Sequence, residues 1–325
     1  MGKDSDIIIL TPLFNDWDSL FVLLGQLDDV LKEEDLKAVI IVVDDGSPTS
    51  AETYDFASLN LTAIQHIDVI TLTRNLGPQR AVAVGISYLA ANRKCDTLVV
   101  MESDLQDQPK YLPQLISEAR KKGNEVIFAE RNRRSEGVTF RISYFIYKLL
   151  YKVLTGMPIS IGHFSAVPSS LIKRIANISE IWSHYPSGVM RARVPYSTIP
   201  TERGQRQQGQ GGSLVTNIIH GLSAYAVHAD IVGVRIITAT FGVGIATLFV
   251  IILVIAKRFM FDYFVPGWTS LVVIILGVAV IQIFLAAIFM TFMIISVKTQ
   301  RVIIPSIDFE KYIFEITRVY SFPKN

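Results

Sequence analysis

The chain has 325 residues, enough for one large domain or two small ones. Half of it is apolar and only 18% is charged, which excludes an intrinsically disordered protein, and the single cysteine, Cys95, excludes a disulfide framework or a cysteine-rich metal site. A net charge of +2 gives no electrostatic footprint for a nucleic acid. Met1–Asp6 is polar and Ile7–Leu10 is too short for the apolar stretch of a secretory signal, so the N-terminal part is expected in the cytosol.

From there to residue 130, short runs that are apolar on both faces alternate with helical patterns. Ile7–Leu10, Val39–Val43, Val69–Leu72, Thr97–Met101 and Val126–Ala129 read as buried parallel strands. Ser19–Leu31, Pro48–Leu59, Pro78–Ala91 and Tyr111–Lys122 read as the helices between them. Repeated strand–helix units with right-handed crossovers predict a mostly parallel α/β sheet with helices on both faces. Ligands of such sheets bind beyond the carboxyl ends of the strands.

The residues just past each strand therefore carry the functional signal. Thr11-Pro12-Leu13-Phe14-Asn15-Asp16 succeeds the first, Asp44-Asp45-Gly46-Ser47 the second, Arg74-Asn75-Leu76-Gly77 the third, Glu102-Ser103-Asp104-Leu105-Gln106-Asp107 the fourth and Glu130-Arg131-Asn132-Arg133-Arg134 the fifth. No glycine-rich dinucleotide fingerprint and no phosphate loop of the Gly-Lys-Ser/Thr type occurs after a strand. Carboxylates at strand ends suit hydrogen bonds from nucleobase N–H or ribose hydroxyls, or a hard divalent cation. Arginines such as Arg131, Arg133, Arg134 and Arg141 suit phosphates, which guanidinium matches bidentately. A single Asp after a strand is commonly turn or cap chemistry; five such clusters in order are harder to dismiss.

Further along, Phe140–Leu154 mixes aromatics and Leu with Arg141, Lys148 and Lys152, which suits either a helix in the lipid headgroup zone or an ordinary amphipathic surface helix. Leu214–Ile231 is apolar, with His220 and His228 interspersed. Ile236–Ala256 and Tyr263–Val297 are free of charged residues, and each is long enough to span a bilayer once, the second at about 270–296. Pro266-Gly267 is expected to end the turn between them and Trp268 to sit in the interfacial zone. The expected domains are 1–213, a cytosolic catalytic domain; 214–235, a juxtamembrane segment; 236–297, two transmembrane helices; and 298–325, a cytosolic tail.

The ordered set Pro12…Asn15-Asp16, Asp44-Asp45-Gly46-Ser47, Arg74-Asn75-Leu76-Gly77 and Glu102-Ser103-Asp104-Leu105-Gln106-Asp107 resembles family 2 glycosyltransferases of the GT-A fold. The two C-terminal spans, with Pro266-Gly267-Trp268 before the second, narrow the resemblance to the polyprenyl-phosphate glycosyltransferases, the group of bactoprenol glucosyltransferase and dolichol-phosphate mannose synthase. It covers residues 6–297. It implies inverting, metal-dependent transfer of a hexose from a nucleotide sugar, UDP-glucose by family weight, to a polyprenyl phosphate at the cell membrane. It also implies a homo-oligomer, with both termini cytosolic.

Carried over by position, Pro12, Phe14, Asp16, Asp44, Asp45, Arg74, Glu102, Ser103, Asp104 and Arg131 are expected to bind the nucleotide sugar. Asp104 and Gln106 would hold Mg²⁺ or Mn²⁺, and Arg141, Arg203 and Arg206 the acceptor phosphate. Asp104, Glu102, Arg141 and Arg206 would form the catalytic set. Glu102 stands where the family usually has Asp, Gly212 and Ser213 where it has a lysine and an aromatic, and the family's glycine-rich charged segment after the last span is missing. A processive polysaccharide synthase is disfavoured because Arg206 is followed by Gln207 rather than Trp, and because two spans cannot enclose a polymer channel. A non-catalytic membrane scaffold with a decayed donor site is the remaining alternative.

Overall fold

The computed structural model describes residues 6–131, 148–157, 161–202, 204, 223–260, 267–299 and 302–322. It divides into two compact units. The first carries every strand of one eight-stranded sheet.

Its central strands are β1 (Ile7–Leu13), β2 (Ala38–Asp44), β3 (Ile64–Leu72) and β4 (Thr97–Val100), all parallel. They are fully buried along β1, β2 and β4 because layers cover both faces. Ile7 and Ile9 point into a core shared with α1 (Trp17–Glu33) and α3 (Leu112–Lys122), while Ile8 and Leu10 point into a core shared with α2 (Pro78–Asn92). In α1 the buried Leu20, Leu23, Leu24, Leu27 and Leu31 form one helical stripe. Gly77 and Pro78 open α2, and Gly85 lets it lie close on the sheet: a Cβ there would come within 2.5 Å of Leu10 and 2.8 Å of Val43.

Several elements differ from the sequence reading. Pro48–Leu59 is not a helix but two 3₁₀ turns, Ala51–Thr53 and Phe56–Leu59. Ser50 and Asp55 accept from the backbone N–H of Glu52 and Ala57, a local competition that stops a helix from propagating. β5 (Val126–Arg131) does not adjoin β4. An unforeseen strand, β6 (Ile161–Pro168), runs antiparallel between them, followed by α4 (Ser169–Ala176), α5 (Tyr185–Arg191) and β7 (Tyr196–Thr201), which pairs parallel with β5.

The segment read as a tail also joins the sheet. After a short helix, Pro305–Asp308, β8 (Ile313–Ser321) pairs antiparallel with β3. The strand order is therefore β7-β5-β6-β4-β1-β2-β3-β8. On β8, Arg318 reaches the buried Asp68 at 2.7 Å, where Arg93 also arrives at 2.6 Å. Phe309 fills the core on the α2 side. β8 depends on a partner some 250 residues away in sequence, which is why 298–325 reads as a tail from the sequence alone.

The second unit contains a helical segment at 148–155, α6 (Ala229–Met260) and α7 (Trp268–Thr299). Both long helices are long and apolar enough to cross a membrane, and large apolar side chains such as Phe241, Phe249, Ile274 and Phe292 are exposed. They pack antiparallel: Gly233 lies against Ile294, and Gly244 faces Ile283. Gly267 adopts a φ of +85° immediately before α7, with Trp268 its first residue. In the 148–155 segment Leu149, Leu150 and Val153 are exposed, whereas Tyr151 is buried against the ring of His228. Arg235 donates to the Val153 carbonyl at 2.6 Å, closing that helix end. Residues 140–147 and 214–222 lie outside the described residues.

One hydrogen-bond hub ties α1 to the segment that leads into β3. Buried Asp28 accepts from the N–H groups of Thr62, Ala63 and Ile64 and from the Thr62 hydroxyl. Burial opposes its ionisation, but these donors outweigh it and hold its carboxyl below the ordinary 3.8. A lowered folded-state value means that the contribution is complete above about pH 3.8 and is lost as pH falls through the folded value. Asp28→Asn should therefore destabilise the protein by roughly 2–4 kcal/mol near neutrality. Thermal melts of the two proteins should converge only under strongly acidic conditions.

Candidate active site

The carboxyl ends of β1, β2 and β4 meet at one edge of the sheet, and side-chain-to-backbone hydrogen bonds fix each loop there. At β1, the hydroxyl of Ser103, just beyond β4, donates to the Pro12 carbonyl at 3.0 Å. Asn15, with φ +50°, donates its N–H to Ser47 Oγ at 2.7 Å, and Ser47 in turn donates to Asp44. Phe14 is exposed at the rim, and Asp16 starts α1 without capping it through its side chain.

At β2, Asp44 and Asp45 are both buried. Asp45 accepts from the N–H of Leu76 at 2.6 Å and of Gly77 at 2.8 Å, one on each carboxylate oxygen. It thereby holds the β3–α2 loop that carries the exposed Arg74. Burial raises the pKa of both aspartates against these donors, and the charge of Asp44 raises that of Asp45 further. Gly46, between them and Ser47, has φ +72°, and a Cβ there would lie 2.8 Å from the Arg74 carbonyl carbon and 2.9 Å from the Asn75 nitrogen. Only glycine meets both conditions.

At β4, the loop folds on itself. Asp107 accepts from the Glu102 N–H at 3.0 Å, and Asp104 accepts from the Gln106 N–H at 3.1 Å, with Leu105 at φ +66° between them. Asp104 and Gln106 thus flank one tight turn at the edge. Among the described residues no group of three or more His, Cys, Asp or Glu could by itself hold a metal ion. The set at β4 is acid and amide oxygen, the donor chemistry of a hard cation.

Two features escaped the sequence reading. Gly204 donates its N–H to the Gln106 carbonyl at 2.9 Å, so close that a Cβ would strike the Leu105 carbonyl. Glu202 donates its N–H to the Tyr111 hydroxyl at 3.1 Å, and its carbonyl accepts from Gln108 at 3.2 Å. The chain on both sides of position 203 is therefore pinned to the 104–111 segment. The second is His163 on β6, whose Nδ1 lies 2.7 Å from Glu102 Oε1. No sequence signal marked it, because β6 itself was not read as a strand.

Of the expected site residues, the structure brings Pro12, Phe14, Asp16, Asp44, Asp45, Arg74, Glu102, Ser103, Asp104 and Gln106 to this edge. Arg131 ends β5 opposite Thr201, and its side chain lies outside the described residues. Arg141, Arg203 and Arg206 lie outside them altogether.

This mixed sheet with its acidic loop after β4 is that of the GT-A glycosyltransferases. Glucosyl-3-phosphoglycerate synthase from Mycobacterium tuberculosis, crystallised with Mn²⁺, UDP-glucose and phosphoglyceric acid, superposes with a TM-score of 0.51 at 15% identity, over 71% of this chain and 80% of that one. Mannosyl-3-phosphoglycerate synthase from Rubrobacter xylanophilus does so at 0.50 and 16% identity, over 70% and 73%. At such identities the likeness is one of fold. Residues 8–176 match the model of Glycosyl transferase family 2, and the chain belongs to that family.

Among curated relatives, an uncharacterised glycosyltransferase of Synechocystis is 29% identical over 54% of each chain, and the uncharacterised glycosyltransferase YkcC of Bacillus subtilis is 23% identical over 84% of each. The undecaprenyl-phosphate 4-deoxy-4-formamido-L-arabinose transferase of Salmonella choleraesuis is 28% identical over 46% of this chain and 44% of its own. The chain thus spans about half the length of the first and third of these relatives and most of the second.

Gly46→Ala should destabilise the protein by more than the roughly 1–2 kcal/mol of a left-handed alanine alone. Gly123→Ala provides the control, since Gly123 has φ +65° but nothing within 4 Å of its missing Cβ. Melting of the two variants in parallel should show the larger loss at Gly46.

Proposed function

We propose that this chain transfers a hexose from a nucleotide sugar, UDP-glucose in the first instance, to a membrane polyprenyl phosphate, with inversion at the anomeric carbon. The observation that carries the reading is the turn Asp104–Gln106, beside the ends of β1 and β2, on the edge of the sheet where such folds bind ligands. The similarity of 46% of the chain to an enzyme named for undecaprenyl phosphate supports the acceptor class.

The connectivity supports a membrane hairpin. The chain leaves the sheet-bearing unit before α6 and returns to the same sheet as β8 after α7. If α6 and α7 each cross a bilayer, both flanks lie on one side, and we place that side in the cytosol.

In the reaction, an oxygen of the lipid phosphate attacks the anomeric carbon as its bond to the diphosphate breaks, giving polyprenyl-phosphate hexose and a nucleoside diphosphate. The acceptor is already an anion, so positioning matters more than proton abstraction. Arg141, Arg203 and Arg206 would hold that phosphate, and Arg131 would reach the donor diphosphate. Phe14, Asp16, Asp44, Asp45 and Arg74 would surround the nucleoside end. Asp104 and Gln106, with Glu102 beside them, suit Mg²⁺ or Mn²⁺, because such ions take one or two protein carboxylates and complete their shell with phosphate oxygens and water. The ion, when bound, would neutralise the leaving diphosphate.

Membranes containing the protein, incubated with a panel of radiolabelled nucleotide sugars and extracted for lipid, should carry label in the lipid fraction only with a divalent cation present. Asp104→Ala should lower that label by at least about a hundredfold while the protein remains folded. Labelling unchanged in purified Asp104→Ala would remove the ion from the reading. Arg206→Ala should raise the lipid-phosphate KM by roughly tenfold or more; an unaltered rate across acceptor concentrations would remove Arg206 from the site.

A further inference from the structure

At the edge of the sheet, His163 is a buried titratable side chain that the proposed reaction does not use. His163 projects from β6 and is only 6% exposed. Its ring lies nearly parallel to that of Tyr185, with centroids 6.4 Å apart, and Tyr185 is locked by the Ser165 hydroxyl at 3.0 Å. The His184 ring centroid also lies 6.4 Å away. The imidazole therefore has little freedom to turn.

Its two nitrogens differ. Nδ1 meets Glu102 Oε1 at 2.7 Å. Nε2 is buried and has no hydrogen-bond partner among the described residues. A carboxylate accepts, so Nδ1 carries the hydrogen and donates; a hydrogen on Nε2 would be a buried donor with no acceptor. The geometry thus aims Nδ1–H at one carboxylate.

Glu102 lies two residues past Val100, the last residue of β4, and two positions before Asp104, and its side chain is 29% exposed at the rim. Its backbone is tied to Asp107, and its side chain to His163 on the antiparallel neighbour. We propose that His163 is a positioning residue, which holds the Glu102 carboxylate at the rim beside Asp104 at a reach that glutamate has and aspartate lacks. The proposal rests on the donor-site reading and deepens it. Glutamate at 102 and histidine at 163 would then form one device. Shortening the acid by one C–C bond of about 1.5 Å withdraws it from Nδ1 and leaves a buried imidazole with neither nitrogen answered.

The test uses the full-length protein in detergent, with UDP-glucose, undecaprenyl phosphate and Mn²⁺. His163→Asn, whose amide N–H falls near the place of Nδ1, should retain kcat/KM for the donor within about threefold. His163→Leu, and His163→Gln with its donor near the place of Nε2, should lose roughly 10–100-fold, with the KM for lipid phosphate unmoved. Glu102→Asp should lose as much as His163→Leu, and the double variant should be no worse than either. Asparagine as poor as leucine, near-normal Glu102→Asp, or additive losses would each overturn the proposal.

A second measurement is independent of turnover. Nitrogen-15 spectra of histidine-labelled protein should show His163 as the Nδ1–H tautomer, and that signature should be lost in Glu102→Asp. A wild-type Nε2–H tautomer, or a spectrum indifferent to Glu102→Asp, sinks the pairing even if transfer occurs. Absence of transfer from every nucleotide sugar, with the signature intact, defeats the proposed function and leaves the pairing standing.

Discussion

The loops at the carboxyl edge depend on one requirement: backbone N–H groups that leave a parallel sheet must find acceptors before they can be buried. Here the acceptors are carboxylates. Asp45 takes Leu76 and Gly77, Asp107 takes Glu102, Asp104 takes Gln106, and Asp28 performs the same service for the 62–64 segment. The consequence is a rim whose acidic side chains are fixed before any ligand arrives. That preorganisation comes with the burial of Asp44 and Asp45, whose acidity is weakened by desolvation, whereas the denser donors around Asp28 strengthen its acidity. One residue type thus acts in opposite electrostatic regimes according to how many N–H groups it faces.

The same edge explains why glycine occurs where it does. Gly46 and Gly204 each lie where a Cβ would meet backbone rather than a yielding side chain, Gly46 against the β3–α2 loop and Gly204 against the turn after β4. Through Gly204 and Glu202, the end of β7 is fastened to the acidic turn. Glu202 and Gly204 are thus fixed points beside that turn.

The return of the chain to the sheet after α7 has a comparable effect on the sheet as a whole. β8 seals the β3 edge, and Arg318 answers the buried Asp68 together with Arg93. The sheet is therefore complete only once both long apolar helices have been made. An exposed β3 edge would otherwise present unpaired backbone groups. Almost no described residue of the two helices is fully buried, which suits a lipid surrounding.

Much of this was legible in the chain itself. Apolar runs with β-branched residues located β1 to β5, because a strand buried on both faces has no polar alternation to hide it, and the charge-free stretches located α6 and α7. The clusters after β1 to β4 marked the rim, since strand ends converge in a doubly wound sheet, while most of the cluster after β5 lies outside the described residues. Tertiary structure alone decided the rest. β6 and β8 are antiparallel strands whose partners are remote, and the Glu102–His163 contact joins the loop after β4 to β6, which only the sheet makes neighbours. Local pattern determines what a segment prefers; which buried donor meets which acceptor is set by pairing across the sheet, and that information is not local.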